Sequence, residues 1–278
     1  MKKASPCYTS AFSRSPTSKM PFALVTGASG GIGWALAREL ASRKHDLLLV
    51  ARSEDLLKKN CEEARQHFDV KADSMAIDLS VPGAILKVYS WIESKGYSID
   101  ILINNAGFGS WGTLKDIPQN KLSEMMQLNM VTVADLCKIF LPQLEKHSKA
   151  FILNVSSTAA YQAVPTLSTY AATKAFVLLF TRGLKWELKE TNISVSCLCP
   201  GPTSTGFIDR ANLGMIKERA EKFSMTPEKV ALIAIDGMFA GKAEIIPGFT
   251  NWLSAKLAEI APKGLTERIA MNLYKSDK

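Results

Sequence analysis

Seven short runs of aliphatic and β-branched residues punctuate the chain, and helical patterns separate nearly all of them. They are Phe22–Thr26, Leu47–Ala51, Ser74–Asp78, Ile101–Asn104, Phe151–Val155, Ile193–Cys199 and Ala243–Ile246. A strand that returns to its sheet through a helix runs parallel to its predecessor, because the crossover carries the chain back to the starting edge. Runs that are apolar at nearly every position are what a sheet covered on both faces requires. The pattern predicts the α/β class, with one doubly wound parallel sheet of about seven strands and helices on both faces.

Composition agrees with such a domain. Of 278 residues, 47% are apolar and 22% charged, which excludes a disordered, collagen-like or disulfide-scaffold chain. The longest apolar runs, Ala175–Phe180 and Val230–Ile235, have six residues each. A membrane-spanning helix needs roughly 18, so no transmembrane segment is expected. The net charge is +8, but Lys2, Lys3, Arg14 and Lys19 lie in an acid-free start and leave +4 from Met20 onward. An excess that weak predicts no nucleic-acid partner, and a phosphorylated cofactor accounts for it equally well. Cys7, Cys61, Cys137, Cys197 and Cys199 lack metal-ligand spacing, so no metal is expected. Cys197 and Cys199, two apart in a β-like run, read as small buried hydrophobes, and a reducing, cytoplasmic setting fits. His45, His67 and His147 read as surface residues.

The ends differ from the middle. Residues 1–19 are Ser-, Thr- and Pro-rich without hydrophobic periodicity, and read as a disordered stretch that is either a transit peptide or an extension without a role. Residues 20–248 form the sheet domain. Within 249–278, Trp252, Leu253, Leu257, Ile260 and Ala261 share one helix face, and Leu265, Ile269 and Leu273 follow at four-residue steps. These helices are expected to pack on the domain; a substrate lid, an oligomer contact and a membrane-surface contact are the alternatives.

The first strand runs into Thr26-Gly27-Ala28-Ser29-Gly30-Gly31-Ile32-Gly33 and then a helix. Glycines let the backbone turn tightly beside a pyrophosphate, and the helix start offers free N–H groups and a positive dipole end. Strand, glycine turn and helix in that order predict a Rossmann-type dinucleotide site. After the second strand stands Arg52, where a carboxylate would accept from the ribose hydroxyls of NAD. A guanidinium pairs instead with a 2′-phosphate, which favours NADP.

The spacing Thr-Gly-x-x-x-Gly-x-Gly resembles the short-chain dehydrogenase/reductase family, and further runs carry the resemblance. Asn104-Asn105-Ala106-Gly107 is similar to its NNAG, Tyr170-Ala171-Ala172-Thr173-Lys174 to its YxxxK, and Pro200-Gly201-Pro202-Thr203-Ser204-Thr205 to its PG motif. The resemblance implies an NADP-dependent oxidoreductase that interconverts a carbonyl and an alcohol. Tyr170 is then general acid and base, Lys174 lowers its pKa and holds the nicotinamide ribose, and Ser157 bonds the substrate oxygen. Ser156 is the rival serine, and Tyr161 lacks a lysine four residues on. Asn129 is implied to hold a water connecting Lys174 to solvent.

Cofactor contacts implied are Gly27, Ser29, Gly30, Gly31, Ile32, Gly33, Arg52, Asp78, Leu79, Asn105, Ala106, Gly107, Pro200, Gly201, Thr203 and Thr205. Asp78 reads equally well as a helix N-cap, and Thr205 matches the motif better than Thr203. The segment over the substrate pocket is expected at about 206–223, with Phe207, Leu213, Met215, Ile216 and Phe223 suiting a partly apolar carbonyl or alcohol. A 3-oxoacyl thioester reductase of acyl-carrier-protein type and a non-catalytic NADPH sensor are the other readings. The apolar helix after Tyr170 predicts a homodimer or homotetramer. Arg52→Asp is expected to turn the coenzyme preference toward NADH; a wild type that already uses both coenzymes equally in a kcat/KM comparison removes the role given to Arg52.

Overall fold

The computed structural model describes residues 21–204 and 224–274, the last two by main chain only. Seven parallel strands form one sheet: β1 Phe22–Thr26, β2 Asp46–Ala51, β3 Ala72–Ala76, β4 Ile99–Asn104, β5 Ala150–Val155, β6 Ile193–Leu198 and β7 Glu244–Ile245. The order is β3-β2-β1-β4-β5-β6-β7. All seven expected runs overlap their strands within about two residues at each end. The third is shifted as a whole: β3 stops at Ala76, because its partner β2 stops at Ala51, and Asp78 lies beyond the ladder.

The helices are α1 Gly31–Ser42, α2 Glu54–Phe68, α3 Ala84–Ser94, α4 Gln119–Met126, α5 Thr132–Leu144, α6 Ser168–Glu187, α7 Pro227–Phe239, α8 Phe249–Ile260 and α9 Lys263–Tyr274. Side chains alternate across the sheet with the period of two that a strand imposes. Ala23, Val25, Leu47, Leu49, Ile101, Ile103 and Leu153 face α1, α2 and α7. Leu24, Leu48, Val50, Leu102, Ile152 and Val195 face α3, α5 and α6. Both faces are therefore dry, which is why the runs read as continuously apolar.

Two features depart from the expected packing. In α8 the buried residues are Ala255 and Ala258, whereas Trp252, Leu253, Leu257 and Ile260 are 45%, 41%, 51% and 81% exposed. Small residues let the helix axis come close, and the large apolar face points outward. His45 is also half-buried, stacked on Phe239 with ring centroids 5.6 Å apart.

The order reverses between β1 and β4, so their carboxyl ends part and open a crevice. At the opposite end Asp100 interrupts the β1–β4 ladder, between the pairs Phe22–Ile99 and Ala23–Ile101. Its Oδ1 is buried without a partner, and burial pushes its carboxyl up to about 7. A carboxyl raised in the native state stabilises below its unfolded pKa of about 4, and that contribution is lost as pH rises through about 7. Asp100→Asn should therefore gain about 1–2 kcal/mol near pH ~8.5 and almost nothing near pH ~4, discounted for partial exposure. Urea unfolding at both pH values measures it; an equal effect at both removes the assignment.

Candidate active site

The glycine turn is shaped from within the protein at two positions and left open at a third. Gly27 has φ +66°, and a Cβ there would lie 2.7 Å from Asn105 Nδ2. A Cβ on Gly33 would stand 2.3 Å from the carbonyl oxygen of Gly27. On Gly30 it would meet nothing within 4 Å. Helix α1 begins next to Gly30 with no side-chain cap and no acidic residue in its first turn. The bare N–H groups of Gly31 and its neighbours and the open space at Gly30 together suit an anion. Ser29 and Ile32 are half-buried on the same turn.

Thr26 and Asn105 clamp this turn across the crevice. Thr26 Oγ1 donates to Ile103 O at 3.2 Å and accepts from the N–H groups of Asn105 and Ala106 at 3.0 and 3.1 Å. Asn105 Nδ2 donates to Thr26 O at 3.0 Å and to Gly27 O at 3.3 Å. Asn60, from α2, donates to Ala28 O at 2.9 Å. Sequence reasoning singles out neither Thr26 nor Asn60; a threonine before a glycine turn is the available signal for the first, and the second has none.

Arg52 is exposed at the end of β2, with Nη1 3.7 Å from Asp78 Oδ2 and 3.8 Å from Glu124 Oε1. Asp78 is no helix cap: its Oδ1 accepts from Ser80 N at 2.9 Å and Ser80 Oγ at 2.6 Å, and α3 starts later, at Ala84. Burial raises the Asp78 carboxyl, but the Ser80 bonds and Arg52 outweigh it and hold its pKa below the ordinary value. Leu79 is buried, and its carbonyl accepts from Thr132 Oγ1 at 2.9 Å.

The proton-transfer candidates meet at the carboxyl edge of β5. Tyr170 and Lys174 lie one turn apart in α6, both buried, with Nζ 5.8 Å from the Tyr170 ring centroid. Lys174 donates to Val155 O at 2.9 Å, which ties α6 to the end of β5. Burial pulls its ammonium down to about 8, with Cys197 and Cys199 offsetting only part. Ser157 follows Val155 by two residues, and its Oγ accepts from Ala159 N at 3.1 Å. That leaves the hydroxyl proton for another acceptor. The rival Ser156 is buried and donates to Lys174 O at 2.7 Å, so it serves α6. Tyr161 belongs to a different cluster, with Cys197 and Cys199, and burial pushes its phenol upward, the wrong direction for a base.

Asn129 occupies one turn of π-helix, Gln127–Val131, between α4 and α5. The extra residue in that turn aims the amide inward. Asn129 Nδ2 donates to Phe108 O at 2.9 Å and Thr173 Oγ1 at 3.0 Å, and Oδ1 accepts from Phe108 N at 3.1 Å. Both amide hydrogens are thus used by protein. A Cβ on Gly107 would sit 2.9 Å from Asn129 Oδ1 and 3.4 Å from Lys174 Nζ. Thr166 carries a positive φ of +66°, rare for a β-branched residue, and its carbonyl accepts from Gly112 N at 2.9 Å. This bond pins the Phe108 loop to the entry of α6, and no local pattern signals it.

After β6, Pro200 O accepts from Thr158 N at 2.9 Å. Thr203 is buried and spends its hydroxyl on Gly201 O at 3.0 Å. Thr205 and the expected pocket segment 206–223 lie outside the described residues, as do residues 1–19. Among the described residues no His, Cys, Asp and Glu cluster suits a metal, and no helix is long and apolar enough to cross a membrane.

The buried ammonium has a measurable cost. A lysine lowered to about 8 in the native state destabilises the fold below that pH, and the penalty vanishes above its unfolded pKa of about 10.4. Lys174→Met should therefore stabilise the ligand-free chain by about 1–2 kcal/mol near pH ~6.5, with the gain fading near pH ~10. Denaturant unfolding at both values checks this; a loss at the lower pH means that the bond to Val155 outweighs burial.

Comparison with known proteins bears on the whole arrangement. Residues 21–215 match the family model for short chain dehydrogenases. The very-long-chain 3-oxoacyl-CoA reductase of Rattus norvegicus is 32% identical over 206 residues, 73% of this chain and 65% of that protein. Reductase-A of the same name from Danio rerio is 35% identical over 185 residues, 64% of this chain and 57% of that protein. The chain thus spans about two thirds or less of the length of these curated relatives. Among solved structures, a 7β-hydroxysteroid dehydrogenase superposes with a TM-score of 0.81 at 25% identity, over 90% of this chain and 96% of that one. A short-chain dehydrogenase from Sphingobium yanoikuyae in complex with NADPH gives 0.76 at 28% identity, over 88% and 95%. Sheet order, glycine turn and family match agree, and the chain belongs to the short-chain dehydrogenase family.

Proposed function

We propose that the chain is an NADP(H)-dependent oxidoreductase that interconverts a carbonyl and an alcohol, acting as a reductase on a 3-oxoacyl thioester. The observation that carries this reading is the buried Lys174 ammonium 5.8 Å from the Tyr170 ring, beside Ser157 at the same strand end. A structural role alone does not repay burying a cation there. The coenzyme fits the open side of Gly30 and the uncapped start of α1. Its 2′-phosphate suits Arg52, and the NADPH complex of the Sphingobium yanoikuyae relative supports the choice. The names of the curated relatives support the 3-oxoacyl class. Phe108, Trp111 and Ile117, packed around the cluster that buries Tyr170, suit an aliphatic chain.

The turn from Gly27 to Gly33 would hold the pyrophosphate, Asp78 to Leu79 and Asn105 to Gly107 the adenosine, and Lys174 and Pro200 to Thr203 the nicotinamide half, with Thr205 assigned there by its motif. The bound coenzyme supplies the hydride. Tyr170 gives its proton to the oxygen that gains charge during reduction, and takes it back in oxidation. Ser157 donates to the same oxygen with the hydroxyl proton that its bond from Ala159 N does not use. Lys174 favours the phenolate by its charge, and the low-dielectric surroundings strengthen that effect. Asn129 holds the Phe108 loop through its amide, and with both amide hydrogens spent a water linking it to Lys174 would bond to Oδ1 or to its main chain. Exposed Phe176, Leu179 and Trp186 on α6 support a homodimer or homotetramer, and four buried free thiols support a cytoplasmic setting.

NADPH oxidation with 3-oxoacyl-CoA, simple ketones, aldehydes and quinones tests the reading. Tyr170→Phe should lower kcat between about a hundred- and ten-thousandfold while NADPH affinity holds. Gly30→Ala should weaken NADPH binding by more than about tenfold with an unchanged Tm, because its Cβ enters only the ligand's space. NADPH binding without turnover of any carbonyl in the wild type favours a sensor.

A further inference from the structure

Helix α8 lies outside residues 21–215, the part matched by the family model, yet one of its side chains reaches the turn after β6. A Cβ built on Gly201 would stand 2.4 Å from Asn251 Oδ1, 2.5 Å from its Cγ and 2.6 Å from its Nδ2. The flat amide therefore rests directly on the Gly201 backbone, in room that only a glycine leaves. Asn251 Nδ2 donates to Pro247 O at 2.8 Å. On the other side is Gly248, at φ +89°, where a Cβ would come within 3.3 Å of the same Nδ2. Two glycines thus admit one amide.

The helix that carries this wedge is anchored at several points. Ala255 and Ala258 are buried beside Tyr161, Cys197 and Cys199. Lys256 Nζ lies 3.1 Å from Glu244 Oε1 in β7 and 5.8 Å from the centroid of the Tyr161 ring. Asn251 is consequently held by the domain and not only by its own helix. Among the described residues, the turn it touches is otherwise fixed by Pro200 O to Thr158 N, Pro202 O to Met225 N at 3.1 Å, Ser204 N to Met225 O at 3.0 Å, and the Thr203 hydroxyl on Gly201 O.

We propose that Asn251 is a positioning residue for the nicotinamide half of the coenzyme, acting through the Pro200-Gly201 turn; the inference rests on the NADP(H) reading above. By sheet order Arg52 and this turn are four strands apart, about 19 Å at ~4.8 Å per strand. The adenosine half, assigned to the ends of β2, β3 and β4, is thus held at least two strands from the turn, and the wedge acts first on the nicotinamide half. Removing the amide frees the turn to shift, and displacements of a fraction of an ångström are enough to weaken what it holds.

The test uses the full chain and two ligands, NADPH and adenosine 2′,5′-bisphosphate, which has the phosphorylated adenosine half and no nicotinamide. Titration calorimetry on N251A should show NADPH weakened about five- to tenfold, with the bisphosphate within about twofold of wild type. G201A alone should weaken NADPH further, because its Cβ meets the amide, and the G201A/N251A double variant should return to the N251A value. Equal weakening of both ligands, unchanged NADPH affinity in N251A, or no rescue in the double variant overturns the inference. A wild type that binds the bisphosphate and NADPH while N251A is indistinguishable from it overturns only the role of Asn251. A wild type that binds neither ligand overturns the coenzyme reading, and this inference with it.

Discussion

The crevice between β1 and β4 is held to its shape by a small set of hydrogen bonds, and the candidate site is built outward from them. Thr26 Oγ1 serves three backbone groups of β4 and the residues after it, while Asn105 Nδ2 returns two bonds to the end of β1. Parallel strands that part at a switch point leave backbone groups unpaired, and buried unpaired groups are costly. The Thr26–Asn105 clamp satisfies them without closing the crevice. It also brings Asn105 so close to Gly27 and Gly33 that a methyl group at either position has no room. The glycines at 27 and 33 are therefore required by the protein's own packing, and Gly30 is the one whose missing side chain leaves space outside it.

The far side of the site follows a different logic. Lys174 is fully desolvated apart from its bond to Val155 O, and its charge is disfavoured there. Surrounding elements nonetheless converge to keep it in place: Ser156 holds its carbonyl, Gly107 leaves it room, and the π turn at Asn129 fixes the loop above it. Such agreement around an energetically unfavourable group is what the proposed proton transfer requires. Asp100 shows the same imbalance, but at the opposite strand ends from the crevice.

Much of the fold and part of the site are legible in the sequence. The strands follow from runs apolar at nearly every position, and their parallel arrangement from the helical stretches that separate them. The glycine turn is legible because it is local: a strand, a bend and a helix start lie within a dozen residues. Tyr170 and Lys174 can be paired because a four-residue step on a helix places both on one face. Asn129 is visible as an odd residue in a helical pattern. Its π turn is not, because a single inserted residue leaves no periodic trace. The outward face of α8 is equally hidden: periodicity identifies an apolar stripe but does not say which side meets the domain, and here Ala255 and Ala258 do.

What the sequence alone determined is therefore everything whose cause is short-range: strand and helix periods, the bend at Gly27, the spacing of Tyr170 and Lys174, and the cation at position 52. The tertiary structure decided what depends on residues meeting from distant parts of the chain. It bound Ser156 to the main chain of α6, placed Thr26 under Asn105, and laid Asn251 on Gly201 across fifty residues. The reason is physical. A hydrogen bond or a packing contact between remote segments exists only once the sheet has fixed their distance, and no local preference of either segment encodes it.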